Sequence, residues 1–142
     1  MVELDHAFST GKPIDYNWAA VTDLARVIPC VEGGEVVTAT TPQDVKALIT
    51  VRMGAMSMKF TGKVQVVEMD DEAHRAVIKI KSKEAGGQGF ANADVIFELN
   101  GDGGTVHTAA QISGKAASMG EGVVVSVLDA LIKDFTQRLA AI

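Results

Sequence analysis

Hydrophobic and polar positions alternate with a period of two from Glu35 to about Lys115, and turn-forming residues interrupt this alternation at short intervals. Such alternation is typical of β-strands that bury one face. The predicted strands are Val36–Thr40, Val45–Met53, Met56–Glu68, Ala73–Ser82, Phe90–Leu99 and Thr105–Lys115. The turns between them are too short for crossover connections, so we expect an antiparallel meander.

One strand and two short helices are predicted before the meander. Alternation over residues 2–10 indicates the strand. A first helix is expected over Pro13–Val21, because proline is tolerated at the first helical position. A second, Leu24–Ile28, ends at Pro29, which cannot continue a helix.

A long helix is predicted after the meander, from about Met119 to Ala140. Ser118 and Glu121 have the spacing of a capping box, in which each side chain bonds the other's backbone N–H. One apolar stripe follows helical spacing and comprises Val124, Val127, Leu128, Leu131, Phe135 and Leu139. This face must pack on a concave sheet, so we expect one α+β domain over residues 1–142, with a curved seven-stranded antiparallel sheet around the helix.

Strand parity sorts the side chains that face the helix. The inward set is unusually small in places and includes Ala47, Gly62, Ala91, Ala93, Thr108 and Ala110. Only seven residues are aromatic (five Phe, one Tyr and one Trp), so few large side chains can fill the space. The sequence therefore indicates either an apolar pocket of about 300–1,000 Å³ or a solid core filled by the helix.

The candidate ligand-binding residues fall into three groups. They are Met53, Met56, Met58 and Phe60 on one wall, Ala93, Val95, Ala110 and Ile112 on the sheet floor, and Val124, Leu128, Leu131 and Phe135 on the helix. The thioethers adapt to a flexible chain. Glycine-rich turns at Gly54, Glu84–Gly89 and Ala116–Glu121 share one end of the meander, where we expect the mouth.

Charge and cysteine content narrow the classes of function. The 142 residues carry 13 basic and 18 acidic side chains, a net charge of −5, which argues against a nucleic-acid partner. A single cysteine, Cys30, indicates a reducing compartment. No apolar run reaches the ~18–20 residues of a membrane-spanning helix, and acidic residues near the start argue against a signal peptide. We expect a cytoplasmic protein.

No inward position of the predicted pocket carries an ionisable group, whereas general acid–base chemistry needs one. His6, His74 and His107 lack metal-ligand spacing and are expected to be exposed, and Cys30 is expected to be a small buried filler. A non-catalytic carrier of an apolar ligand is therefore favoured, with no catalytic residue, metal or covalent cofactor. An enzyme of the cyclase or dehydratase kind, with Tyr16 as the nearest candidate, and an adaptor with an incidental cavity stay open.

Four lysines, Lys59, Lys63, Lys79 and Lys81, share the outward parity of two neighbouring strands. They form either a solvated face partly neutralised by Asp94 and Glu98, or a surface that attracts anionic headgroups of a membrane or a partner.

The chain resembles the carbon monoxide dehydrogenase CoxG family, which belongs to the START-like, SRPBCC or helix-grip superfamily. The resemblance covers almost the whole chain and rests on Trp18–Asp23, Ile28–Gly33, Phe60–Val64, Gly87–Ala91 and Gly114–Gly120.

That resemblance implies a helix-grip fold and an accessory role for an aerobic carbon monoxide dehydrogenase as the partner. It also implies recruitment of the enzyme to the respiratory membrane, with a bound lipid or isoprenoid quinone such as menaquinone in the cavity. Many members carry a linker and an apolar C-terminal segment, whereas this sequence ends at Ile142, directly after the predicted helix.

Overall fold

The computed structural model describes residues 1–87 and 89–142. In this part of the chain, seven antiparallel strands form one sheet in the order β1-β7-β6-β5-β4-β3-β2. The strands are β1 (Val2–Ser9), β2 (Gly34–Thr41), β3 (Asp44–Met53), β4 (Met56–Asp70), β5 (Arg75–Glu84), β6 (Phe90–Asn100) and β7 (Gly103–Ile112). The helices are α1 (Ile14–Val21), α2 (Leu24–Val27) and α3 (Glu121–Leu139), with 3₁₀ helices at Ile28–Cys30 and Ala117–Met119. This architecture confirms the predicted curved sheet around a C-terminal helix.

β1 lies at one edge of the sheet beside β7, and β2 lies at the other edge. β1 pairs with β7, so that Leu4 lies opposite Thr108 and Phe8 opposite Gly104. α1 and α2 follow β1, and Asp23 caps α2 by accepting a hydrogen bond from the Ala25 N–H at 3.1 Å. The backbone of α3 approaches β1 and the 3₁₀ helix Ile28–Cys30, which leaves room between α3 and the middle strands.

The start of α3 differs from the sequence-based prediction. The helix begins at Glu121, and Gly120 at its N-cap has φ of +99°. Ser118 lies in the 3₁₀ helix before it, and its hydroxyl donates to the Lys115 carbonyl at 2.6 Å. The predicted capping box therefore does not form, because the backbone turns at Gly120 and directs Ser118 away from the first turn of α3.

A bulge in β4 changes the parity near the end of that strand. The register with β5 shifts between Val66 and Glu68, and the intervening Val67 is exposed. Before the bulge the predicted inward face is correct, since Met58, Phe60 and Val64 are buried. Gln88 lies outside the described residues. It belongs to the predicted turn Glu84–Gly89 and to the segment Gly87–Ala91, on which the family resemblance partly rests.

Candidate functional site: an apolar cavity between sheet and helix

A cavity of about 230 Å³ lies between the inner face of the sheet and α3. Its volume is below the range expected from the sequence. Two clusters of buried side chains lie along it, one around Leu24 and Phe97 and one around Met53 and Val124. The second cluster lies at the end where the mouth was predicted. The cavity exists because the backbone of α3 approaches the edge strand β1 and the 3₁₀ helix Ile28–Cys30, while small side chains such as Ala93 and Ala110 line the sheet opposite α3.

Ten of the twelve predicted ligand-binding residues line this cavity. They are Met53, Phe60, Ala93, Val95, Ala110, Ile112, Val124, Leu128, Leu131 and Phe135. Ala93 and Ala110 lie directly opposite each other on β6 and β7 and form the floor. Their role in binding a ligand stays a prediction.

Met56 and Met58 do not belong to the described lining, which corrects their predicted place on the wall. Met58 is buried and Met56 half-buried in the cluster around Met53. Both lie close to the turn that joins β3 and β4, and there the side chains of the cluster cover them.

The part of the lining that precedes the meander was not predicted from the sequence. Leu24, Val27, Ile28 and Val31 line the cavity from α2 and the segment after it. Their spacing of i, i+3, i+4 and i+7 is the signal of an apolar helical face, and it could have found them. Leu24, Val27 and Ile28 belong to the cluster around Leu24 and Phe97, and Val31 packs against it, whereas Met53 belongs to the second cluster.

Three lining residues among those described carry polar side chains, namely Ser82, Asn92 and Thr108. The Ser82 hydroxyl donates to the Ala91 carbonyl at 2.5 Å, and the Asn92 side-chain oxygen accepts from the Ser82 N–H at 3.3 Å. Thr108 is 7% exposed. No described lining residue is ionisable at neutral pH, so the electrostatic environment of the cavity is neutral.

His6 faces α3, contrary to the expectation that it is exposed. Its Nε2 lies 2.7 Å from Asp129 Oδ1, and its Nδ1 is buried without a hydrogen-bond partner among the described residues. Hydrogen bonds from Lys133 and His6 hold the pKa of the Asp129 carboxyl below its usual value. The pair joins β1 to α3 and is not part of the cavity lining.

The other two histidines are half-buried rather than fully exposed. The His74 ring packs edge-on against Trp18, whose Nε1 donates to Asp71 at 2.8 Å. On β7, a hydrogen bond to Asp5 raises the pKa of His107. Each ring therefore joins two elements of the fold.

Tyr16, the nearest candidate for a catalytic group, is 40% exposed. Its hydroxyl donates to the Ile142 carbonyl at 2.7 Å, and its ring lies beneath Lys12. It is not among the described lining residues. The Tyr16 side chain joins α1 to Ile142 and contributes no functional group to the described lining of the cavity.

All four predicted surface lysines are exposed on the outer face of the sheet. Lys63 lies opposite Lys81 on β5 and opposite Lys46 on β3, and we call these three residues the lysine row. Lys79 pairs with Asp94 at 4.0 Å, as expected. Glu98 pairs instead with Arg75 at 3.6 Å, because the register places Lys81 opposite Asn92.

Within the described residues, no group of three or more His, Cys, Asp or Glu side chains is arranged to hold a metal ion. In the same part of the chain, no helix combines the length and the apolar character needed to cross a membrane.

The family model for CoxG, a subunit of carbon monoxide dehydrogenase, matches residues 7–141. The chain belongs to the CoxG family. This confirms the resemblance drawn from the sequence. A comparison of this CoxG protein with curated proteins found no match.

Solved structures similar to this CoxG protein share its fold at low identity. A conserved protein from Geobacillus kaustophilus is 17% identical with a TM-score of 0.76, covering 98% of this chain and 90% of that one. A START superfamily protein from Mycobacterium smegmatis is 9% identical with a TM-score of 0.62, covering 98% and 94%. The Zhui aromatase/cyclase from Streptomyces sp. R1128 is 12% identical with a TM-score of 0.60, covering 99% and 92%. These likenesses establish a START-like fold.

Proposed function

We propose that this CoxG protein is a non-catalytic accessory protein of an aerobic carbon monoxide dehydrogenase. It holds an apolar ligand, an isoprenoid quinone or a lipid, in the cavity and links the enzyme to the respiratory membrane. The observation that carries the proposal is the cavity itself, whose described lining is apolar apart from three polar side chains. Family membership supports the dehydrogenase as partner.

The size of the cavity supports a ring or a short chain as its occupant. An apolar cavity of about 150 Å³ suffices for benzene, and this one measures about 230 Å³. Each buried CH₂ contributes about 0.8 kcal/mol, so one five-carbon isoprene unit supplies about 4 kcal/mol. A quinone ring with its first isoprene unit is thus a suitable occupant, and the rest of a long tail lies outside.

The lining also supports a container rather than an enzyme. Proton transfer in catalysis requires a positioned ionisable side chain, and the described lining residues include none. The likeness to an aromatase/cyclase is one of fold. No observation in the described chain favours a catalytic function over binding.

Filling the floor tests the proposal. Ala93→Phe and Ala110→Phe each place a ring in the cavity, and we expect both to abolish binding of a naphthoquinone with a single isoprene tail, measured by native mass spectrometry. Because the ring occupies empty space, the free energy of unfolding should stay near that of the parent, whereas overpacking a solid core costs about 1–3 kcal/mol.

Ala109→Phe is the matched control, since Ala109 adjoins Ala110 on β7 but has the outward parity. It should leave quinone binding unchanged. Unfolding of both filled variants, or undiminished binding by them, would show that the ligand does not occupy this cavity.

The proposed partnership has a separate test. The purified protein, immobilised through its N-terminus, should retain the carbon monoxide dehydrogenase of its own organism. Absence of an interaction with the purified dehydrogenase would remove the linking role and leave the ligand-binding role standing.

A further inference from the structure

Thr108 is one of the three polar side chains in the described lining of the cavity. It lies near the middle of β7, between Leu4 on β1 and Val95 on β6. Its side chain has the inward parity, lines the cavity and is 7% exposed. Thr108 therefore places a hydroxyl group on an otherwise apolar floor, beside Ala110.

The Thr108 hydroxyl has no hydrogen-bond partner among the described residues, in contrast to Ser82, whose hydroxyl bonds the Ala91 carbonyl. Buried polar groups in folded proteins nearly always have a partner, because a lost hydrogen bond leaves the cost of desolvation uncompensated. Because Thr108 lines the cavity and its hydroxyl bonds no described protein group, that hydroxyl is available to a group that occupies the cavity.

The electrostatics of the cavity restrict the occupant further. The described lining contains no lysine, arginine or histidine that could neutralise an anion, and no carboxylate that could neutralise a cation. An uncompensated charge in such surroundings is strongly disfavoured. The part of the occupant that lies inside the cavity is therefore uncharged.

We propose that Thr108 is a specificity-determining residue, whose hydroxyl donates a hydrogen bond to a carbonyl-type oxygen of a neutral apolar ligand. The inference rests on the proposed function, because it requires that the cavity bind a ligand. A hydrogen bond from Thr108 would favour neutral molecules that carry an acceptor oxygen over hydrocarbons of the same shape.

A matched pair of probes isolates this hydrogen bond. The first is 2,3-dimethyl-1,4-naphthoquinone, whose methyl groups block addition of the Cys30 thiol, and the second is 2,3-dimethylnaphthalene, which lacks the oxygens. Dissociation constants are measured by isothermal titration calorimetry for the parent, Thr108→Val, Thr108→Ser and Thr105→Val. Thr105 lies on the same strand but is exposed on the outer face, so it serves as the control.

We expect Thr108→Val to bind the quinone roughly two- to tenfold more weakly, the usual range for loss of one neutral hydrogen bond. Its affinity for the hydrocarbon should be equal or higher. Thr108→Ser keeps the hydroxyl and should retain the preference for the quinone, and Thr105→Val should behave as the parent. Without ligand, Thr108→Val should unfold at the same temperature or higher, since it removes an unpartnered polar group.

Equal weakening of both probes in Thr108→Val, or no weakening of either, would overturn the role of Thr108 while leaving the cavity as the binding site. A parent protein that binds neither probe would contradict the proposed function and this inference together. A quinone preference that persists in Thr108→Val would place the hydrogen-bond donor elsewhere.

Discussion

At the scale of single residues, burial determines which side chains can react. Cys30 is 3% exposed, and its thiol lies 3.4 Å from the Arg26 carbonyl. Burial raises the pKa of the Cys30 thiol, and the positive charges of Arg138 and Arg26 offset this only in part. At neutral pH, little of Cys30 is therefore in the reactive thiolate form, and its sulfur is shielded from solvent by burial.

We therefore expect Cys30 to react with Ellman's reagent roughly tenfold or more slowly in the native protein than in urea, because structural buried cysteines are inert. The native rate should also rise at a higher pH than the unfolded rate, since a raised pKa delays formation of the thiolate. Stopped-flow absorbance between neutral and alkaline pH measures both. Equal native and unfolded rates would refute the covered position of the thiol.

Residues that face the cavity from long strands were predictable, whereas those fixed by distant contacts were not. Alternation alone places Ala93 and Ala110 on the inner face, and the structure pairs them. The partner of His6 is Asp129, 123 positions away in sequence. No local pattern encodes that contact, because it depends on how β1 and α3 approach each other in the fold.

At the scale of elements, close strand packing makes one glycine necessary in the middle of β4. A Cβ at Gly62 would lie 1.9 Å from the Lys81 carbonyl oxygen and 2.6 Å from the Ser82 Cα, both backbone atoms of β5. At Gly122 in α3, a Cβ would meet no atom within 4 Å. The two glycines thus differ in the space around them.

We expect Gly62→Ala to lower the free energy of unfolding by about 1–3 kcal/mol, the usual cost of forcing extra atoms into a packed region. Gly122→Ala should raise it by up to about 1 kcal/mol, because alanine is the better helix former. Urea denaturation compares the two variants with the parent. Similar stability for both variants would mean that β4 and β5 leave room for a side chain at Gly62.

The existence of the elements was predictable from periodicity, but their irregular ends were not. Ser118 and Glu121 have capping-box spacing, yet the positive φ of Gly120 turns the chain between them. At the bulge the alternation is interrupted by the consecutive apolar residues Val66 and Val67, but two adjacent valines alone do not distinguish a bulge from the end of a strand. Both are local backbone conformations that follow from tertiary packing rather than from the order of apolar residues.

At the scale of the whole molecule, the volume of the cavity depends on the distance between α3 and the sheet, which no sequence pattern measures.

The distribution of charge is another whole-molecule property. The net charge is −5, yet the lysine row and Lys59 lie on one outer face without an ion pair among the described residues. Like charges opposite each other in a sheet are destabilising, so this face is arranged at a cost to stability.

An anionic surface that binds this face would offset that cost. We expect the protein to cosediment with phosphatidylglycerol-containing vesicles and not with pure phosphatidylcholine vesicles. A lysine near a charged membrane contributes about 1 kcal/mol, or roughly fivefold in affinity, and added salt should weaken binding because it screens exposed charges. Lys63→Glu should reduce binding by at least that factor.

Lys133→Glu on α3 is the matched control. Each substitution changes the net charge by −2, from −5 to −7, so a general electrostatic effect would weaken both variants alike. Lys133 already pairs with Asp129 at 2.9 Å and lies outside the lysine row. Selective loss in Lys63→Glu supports membrane contact through the outer face of the sheet, whereas equal loss in both variants, or equal binding of the parent to neutral vesicles, argues that the face does not direct the protein to a membrane.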